Sequence, residues 1–349
     1  MKQKIAVLGV GAIGSSIGAD LTHAGYDVTL IDQWPAHVKA MKTNGLQVQF
    51  KTSQFQVPVK AMHLCDMASA NLMFDIVFLA AKSNDTRWLA EFIKPYLKKD
   101  GVVVGTQNGM NDDAIASIIG RERVIGCVVE LQAELFTPGQ IQRNTTRKGS
   151  WFSVGELDGA YSPRVKKIAT LMGKVGCCDV SNNIYGAKWT KLIANTMTMG
   201  PFSLFGLCNF EAAALPGMFD LSVKLGRESY AVGTALGYRV EPIFGLRADE
   251  FAGSSDENLV TTMKTLLSHV GGGRTAPIHD HLKGRTSEIE FISGLVERKG
   301  RELGIATPAN AAVTAIDRQI NSGELTMDAS NLALLQAHTD TSQSQTNRN

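Results

Sequence analysis

Ile5-Ala6-Val7-Leu8-Gly9-Val10-Gly11-Ala12-Ile13-Gly14 decides how this chain begins to fold. An apolar run, the pattern of a buried strand, leads directly into G-x-G-x-x-G, and the stretch after Gly14 is helical. A second apolar run, Val28-Thr29-Leu30-Ile31, ends in Asp32, eighteen residues beyond Gly14. Strand, glycine turn, helix, strand and acid together form the layout that binds a dinucleotide. Gly9 permits the tight turn. Gly11 lets the backbone approach a pyrophosphate with no Cβ in the way, and Gly14 lets the helix pack close to the strand. Ala12 and Ile13 open the helix, whose free N–H groups and positive dipole end face the phosphates. The cofactor-binding residues expected here are Gly9, Gly11, Ala12, Ile13, Gly14 and Asp32.

The rest of the chain narrows the class. Its 349 residues suggest two domains, each long enough to bury a core. A net charge of +2 makes no case for a nucleic-acid footprint or a polybasic membrane surface. No run of 18 apolar residues is present to span a membrane, and the start holds a strand rather than a signal peptide. The five cysteines are few and unpatterned, which predicts reduced thiols in a cytoplasm. Cys177-Cys178 lacks metal-ligand spacing and reads as part of a core strand.

Up to residue 182 short apolar runs alternate with amphipathic stretches, as in a doubly wound, mostly parallel sheet. Strands are expected at 76–81, ended by Lys82, and at 101–105 and 124–130. Residues 46–50 and 55–59 read as a hairpin-like excursion. Two late strands, 139–144 and 151–155, read as antiparallel, and 177–180 as the last strand. Helices are expected over 36–44, closed by Gly45, and over 88–97, 111–119 and 164–175. From 183 to 338 helical periodicity takes over, with candidates at 187–199, 218–236, 258–269, 288–303 and 309–320. Gly304 reads as a helix stop, Thr307 as an N-cap and Pro308 as the first helical residue. Residues 339–349, rich in Thr, Ser, Gln and Asn, read as a disordered tail. In such two-domain proteins the site is expected where the strand ends of the first domain meet the second.

Four polar clusters stand where a nucleotide enzyme would use them: Lys82-Ser83-Asn84, Gln107-Asn108-Gly109, the helical Lys188–Asn195, and Ser287-Glu288-Ile289-Glu290. Lys191 and Asn195 are four apart and share one helix face. Joined to Gly9–Gly14 and to Gly304-Ile305-Ala306-Thr307-Pro308-Ala309-Asn310, these segments resemble the ketopantoate reductase family over roughly residues 1–320. The resemblance implies a Rossmann domain followed by an all-α domain like that of 6-phosphogluconate dehydrogenase-type enzymes, and a homodimer formed through that helical domain. It also implies roles. Lys191 matches the proton donor to the 2-oxo oxygen, a task suited to an ammonium because negative charge develops there. Glu288 matches the active-site glutamate that helps hold substrate and lysine. Asn108 matches the asparagine bridging nicotinamide ribose and substrate, and Asn195 one that contacts substrate.

The chain also departs from the family pattern. The family continues its lysine helix as N-x-x-x-N-P, whereas here Asn195-Thr196-Met197-Thr198-Met199-Gly200-Pro201 lacks the second asparagine and adds a residue. The family's S-S-M serine falls at Thr275-Ala276-Pro277, where Thr275 can offer a hydroxyl one place away. These changes predict that ketopantoate itself is a poor substrate. Arg274, Thr275, Arg285 and Ser287 are candidate partners for a substrate carboxylate. Family members using NADPH carry an arginine where Gln33 stands, and Asp32 would repel a 2′-phosphate, so NAD(H) is expected over NADP(H). Lys82 is the residue that can still attract such a phosphate. Trp34-Pro35 reads equally as an adenine cover or a plain surface loop. His279-Asp280-His281, taken as an extended strand, has no third ligand at useful spacing, so no metal is expected.

The function expected is hydride transfer between a nicotinamide cofactor and C2 of a small-molecule 2-oxo or 2-hydroxy acid, with neither nucleic acid nor membrane as partner. Two alternatives stay open at this point. One is an NAD-dependent D-2-hydroxyacid dehydrogenase of the D-mandelate type. The other is a non-catalytic regulator that senses a dinucleotide and has no use for Lys191, Asn195 or Glu288.

Overall fold

Strand β1 (Lys4–Leu8) is buried along nearly its whole length, as expected for a run of Ile, Ala, Val and Leu covered on both faces. The computed structural model describes residues 3–241, 243, 256–270 and 273–346. They form two compact units, Met1–Tyr185 and Gly186–Asn349.

In the first unit β1 leads through the glycine turn to α1 (Ala12–His23), β2 (Asp27–Asp32) and α2 (Pro35–Asn44). Then follow β3 (Leu46–Gln49), β4 (Gln54–Val57), β5 (Lys60–His63), β6 (Phe74–Leu79) and α3 (Thr86–Ile93). β7 (Leu97–Gly105), α4 (Asp112–Ile119), β8 (Val124–Glu130), β9 (Ala133–Glu134) and β10 (Gln140–Arg143) come next. The unit closes with β11 (Trp151–Glu156), α5 (Pro163–Met172) and β12 (Cys177–Val180). The main sheet runs β12-β11-β8-β7-β6-β1-β2-β5. From β5 to β8 every pairing is parallel; β11 is antiparallel to β8, and β12 runs parallel to β11. Strand order turns at β1, flanked by β2 on one side and β6 on the other, so a crevice opens at the carboxyl ends of these three strands.

Several sequence expectations need correcting here. The strand over 139–144 does not join the main sheet. β10 pairs in parallel with β3 and antiparallel with β9, in a second sheet ordered β4-β3-β10-β9. Its partner β3 lies some 90 residues earlier in the sequence, and no local pattern announces such a pairing. β6 ends at Leu79 rather than at residue 81, and the Ala80 N–H gives the last ladder bond to β1, to the carbonyl of Leu8 (2.8 Å). β5 was not anticipated. Cys177 lies exposed on β12, an edge strand, rather than in the core.

A buried ion cluster ties α1 to the second sheet. Arg143, fully buried, donates to Asp20 on α1, to Val175 O (2.6 Å) and to Ser150 Oγ (3.1 Å). Arg147 also donates to Asp20 and lies over the rings of Phe50 and Phe55. Buried charges hold their place only when paired in this way.

The second unit is helical. α6 (Ile184–Met197) begins at its edge, followed by α7 (Met199–Ser203), α8 (Asn209–Ala213), α9 (Met218–Ala235) and α10 (Asp256–Val270). α11 (Ala276–Leu282), a 3₁₀ turn Ile289–Phe291, α12 (Ser293–Leu303), α13 (Pro308–Ser322) and α14 (Asn331–Thr346) complete it. Gly226 and Gly233 on α9 let α6 approach closely. A Cβ at Gly233 would stand 1.9 Å from Trp189 Nε1, and one at Gly226 2.7 Å from Met197 Sδ. Thr307 and Pro308 open α13 as expected, but the Thr307 side chain caps nothing. Glu228 of α9 does that work, accepting the N–H groups of Ala309 and Asn310 at 2.9 Å each. The tail expected to be disordered continues as helix to Thr346. Leu332, Leu335 and Thr339, all buried, seat its first turns along one face, and residues 347–349 lie outside the described residues.

Candidate active site

The glycine turn shows why its glycines differ. Gly9 has φ +86°, and a Cβ there would stand 2.5 Å from Ala81 N. A Cβ on Gly14 would stand 2.1 Å from Gly9 O. Those two glycines close the turn on itself. Gly11 is the opposite case, since a Cβ there meets no atom within 4 Å. It is also the N-cap of α1 and offers no side-chain cap, so the open space faces uncapped N–H groups of a twelve-residue helix. That concavity fits the pyrophosphate of a dinucleotide, with Gly11, Ala12 and Ile13 beneath it.

Asp32, at the end of β2, is buried and fastens this turn. One oxygen accepts the Val10 N–H (2.5 Å) and the other the Trp34 N–H (2.7 Å). A carboxylate has about four acceptor positions, so capacity remains for ribose hydroxyls. Behind it His37 is fully buried. Its Nδ1 accepts the Gly139 N–H (2.9 Å), so Nε2 carries the proton and donates to Ser15 Oγ (3.3 Å). Burial holds the His37 imidazole below its ordinary pKa, against the opposing pull of Asp32 and Val10. Trp34 is half-buried and stacks on His37, with ring centroids 5.6 Å apart. Next to Asp32 the exposed Gln33 side chain donates to Asp85 Oδ2 (3.3 Å), and Trp88 Nε1 donates to Asp85 Oδ1 (2.8 Å). A second carboxylate therefore stands at the end of β2.

The turns after β6 and β7 are stitched together. Lys82 and Asn108 head them, and Asn111 Nδ2 donates both to Asn108 O (2.7 Å) and to Ser83 Oγ (3.0 Å). Gln107 Nε2 donates to Thr86 Oγ1 (2.6 Å). The residues named from sequence in this unit thus gather at the strand ends around the switch point. Ser83 belongs to a cluster read from the sequence, while the other supports, Ser15, His37, Asp85 and Asn111, were not foreseen, because each acts through a partner distant in sequence.

In the second unit Lys191 and Asn195 lie on α6, roughly 200° and 240° around the helix from Trp189, which packs against α9. Asn195 is buried and Lys191 half-buried. The surrounding protein strips water from the Lys191 ammonium and brings its pKa down from 10.5 to about 7. The expected continuation of this helix to 199 is interrupted: Thr198 leaves helical geometry (φ −127°, ψ −60°) and α7 starts anew, with Pro201 near its beginning. At Gly200 a Cβ would stand 3.0 Å from Ser293 Oγ, so a side chain there would crowd that hydroxyl.

Thr275 precedes α11 as its N-cap but makes no capping bond, and its hydroxyl is buried with no hydrogen-bond partner among the described residues. Glu288 is buried at the head of the 3₁₀ turn. Of the residues proposed to meet a substrate carboxylate, Arg274 and Arg285 are exposed, while Ser287 is fully buried with its hydroxyl donated to Asp317 (2.7 Å). His279-Asp280-His281 is helical, not extended. His281 Nε2 donates to Asp317 Oδ1 (3.0 Å), and no group of three metal-ligating side chains forms among the described residues.

Two family models match this chain: the ketopantoate reductase PanE/ApbA model over residues 5–159 and its C-terminal counterpart over 183–321. The chain belongs to the ketopantoate reductase family. The 2-dehydropantoate 2-reductase of Mesorhizobium japonicum is 30% identical over 341 residues, spanning 91% of this chain and 97% of that one. The crystal structure of a PanE/ApbA family ketopantoate reductase from Ralstonia eutropha superposes with a TM-score of 0.78 at 26% identity, covering 92% and 99% of the two chains. D-mandelate dehydrogenase, solved with NADH and anilino(oxo)acetate, shares the fold at a TM-score of 0.81 and 22% identity, over 92% of this chain and 99% of its own. This ketopantoate reductase family member is an NAD(P)-dependent oxidoreductase acting on a 2-oxo or 2-hydroxy acid, and it takes a nicotinamide dinucleotide as cofactor. That excludes the non-catalytic sensor. No helix among the described residues is long and apolar enough to cross a membrane.

Proposed function

We propose that Lys191 is the acid–base group of this oxidoreductase and that the enzyme uses NAD(H) in preference to NADP(H). The observation that carries the proposal is the half-buried Lys191 on α6, one turn from Asn195, with its pKa brought to about 7. An ammonium in that range gives up a proton readily near neutrality and takes it back readily. The bound nicotinamide supplies or accepts the hydride at C2 of the substrate. Lys191 Nζ gives its proton to the C2 oxygen as that oxygen gains the carbonyl electron pair, and solvent restores the proton afterwards. Asn195 and the buried Thr275 hydroxyl hold the substrate, Glu288 orients it against Lys191, and Asn108 bridges to the ribose.

The cofactor preference rests on two carboxylates at the end of β2. Asp32 accepts ribose hydroxyls, and Asp85 borders Gln33, so a 2′-phosphate meets like charge. Lys82 binds the adenosine side. A substrate with an apolar tail is favoured over ketopantoate, because Met199-Gly200 replaces the asparagine and Ser293 crowds Gly200. The same features favour, as a second reading, physiological oxidation of a D-2-hydroxy acid. Initial rates over a panel of 2-oxo and 2-hydroxy acids with both cofactors test this. A clear NADPH preference, or ketopantoate leading the panel by ten-fold or more, defeats the corresponding part of the proposal.

We further infer a homodimer through the helical unit, supported by exposed Phe210, Leu282, Leu303 and Leu334, and a cytoplasmic location, supported by five cysteines that form no disulfide. Sedimentation of the purified protein as a monomer would remove the first.

A further inference from the structure

We propose that Asp317 is a positioning residue for Glu288, an inference that rests on the active-site role given to Glu288 above. Asp317 lies on α13 and is fully buried. Three donors from three separate segments converge on its two oxygens. His281 Nε2 of α11 reaches Oδ1 at 3.0 Å. Ser287 Oγ reaches Oδ2 at 2.7 Å, and Asn321 Nδ2, one turn on along α13, reaches the same oxygen at 2.8 Å. Asn321 closes the ring by accepting the Ser287 N–H on its Oδ1 (3.1 Å). Ser287 Oγ also accepts the Ile289 N–H (3.3 Å).

Ser287 is thereby held at both its backbone and its side chain, and Ile289 at its backbone. Glu288 is the residue between them. Residues 283–286 lead into this point as exposed chain, and the 3₁₀ turn that follows is only three residues long. The 3₁₀ turn holds the Glu288 carbonyl, which accepts the Phe291 N–H (2.9 Å), and the Asp317 ring fixes the residues on either side. Fixing Glu288 matters because a displacement of about 1 Å at a reacting centre costs up to roughly 10²-fold in rate. A buried carboxylate is also suited to the task. It accepts from all three donors, whereas an amide at the same place has one acceptor oxygen and turns an N–H toward a donor.

The test is a double-mutant cycle on the full chain, with kcat, substrate KM and cofactor Kd measured for each variant. Asp317→Asn is expected to lower kcat roughly ten-fold while leaving cofactor Kd within about two-fold. In a Glu288→Gln background the same change is expected to cost no more than about two-fold, since nothing remains to be positioned. Ser287→Ala, which deletes one bond and little volume, gives a smaller kcat loss with the same background dependence and covers the case in which Asp317→Asn does not fold. An equal kcat loss in both backgrounds, or no loss in the wild-type background, overturns the inference. If Glu288→Gln alone leaves turnover unchanged, the role given to Glu288 falls, and with it the reason for positioning it.

Discussion

Replacing Lys191 by methionine should stabilise the protein, and by an amount that depends on pH. The methionine keeps the apolar stem and removes the ammonium. In the folded chain that ammonium has a pKa of about 7, against 10.5 for an ordinary lysine, and burial is the cause. For a base whose folded pKa is depressed, the unfolded chain holds a proton that the folded chain has lost anywhere between the two values. Stability then rises with pH across that window, and the full cost is felt below about pH 7. The gap corresponds to about 5 kcal/mol at roughly 1.4 kcal/mol per unit, an upper bound. Water reaches part of this side chain, and screening reduces the figure to about 2–3 kcal/mol. Urea unfolding at a series of pH values from about 6 to 9 measures it. The methionine variant should exceed wild type by about 2 kcal/mol at pH 6, a shift of roughly 1 M in midpoint, and the advantage should shrink steadily toward pH 9. Subtracting the variant's curve removes the other titrating groups, which are common to both. Parallel curves would refute the reasoning, because they would mean that the lysine is solvated as an ordinary surface group.

Three further outcomes follow from the geometry. Gly11→Ala should fold normally and bind NADH about ten-fold more weakly, because its Cβ enters the open space at the start of α1; Gly14→Ala should lose the fold, its Cβ lying 2.1 Å from Gly9 O. Melting curves beside cofactor titrations distinguish the two, and tight NADH binding by Gly11→Ala would disprove the phosphate assignment. NADH should bind more tightly than NADPH, and Asp85→Asn should improve NADPH binding by roughly five-fold while sparing NADH. Asp85 is a cleaner probe than Asp32, which also fastens the Val10 and Trp34 amides. Ketopantoate should trail a 2-oxo acid with a larger apolar side chain in kcat/KM by about 10²-fold, the cost of two lost hydrogen bonds, or by half that in energy if Thr275 replaces one of them.

What was legible in the sequence was what is local. The strand, glycine turn, helix, strand and acid lie within residues 4–32, each readable from its own spacing, and β1, α1 and β2 form there. Lys191 and Asn195 share a helix face because four residues make about one turn. What stayed hidden depends on distant partners. Asp317 holds Ser287 from 30 residues away, and Gly139 reaches His37 across 102. β10 pairs with β3 rather than with its neighbours in sequence, and Glu228 rather than Thr307 caps α13. The His279–His281 segment was misread because seven residues starting at Ala276 make a helix too short to show a period.

The central claim is that Lys191 gives the proton that accompanies hydride transfer. Its most direct test is single-turnover oxidation of bound NADH by the best 2-oxo acid of the panel, in wild type and in Lys191→Ala. The chemical step should slow by on the order of 10²-fold or more with the NADH Kd unchanged, and in wild type it should weaken as pH rises through about 7. A Lys191→Ala enzyme that turns over at near the wild-type rate would contradict the account.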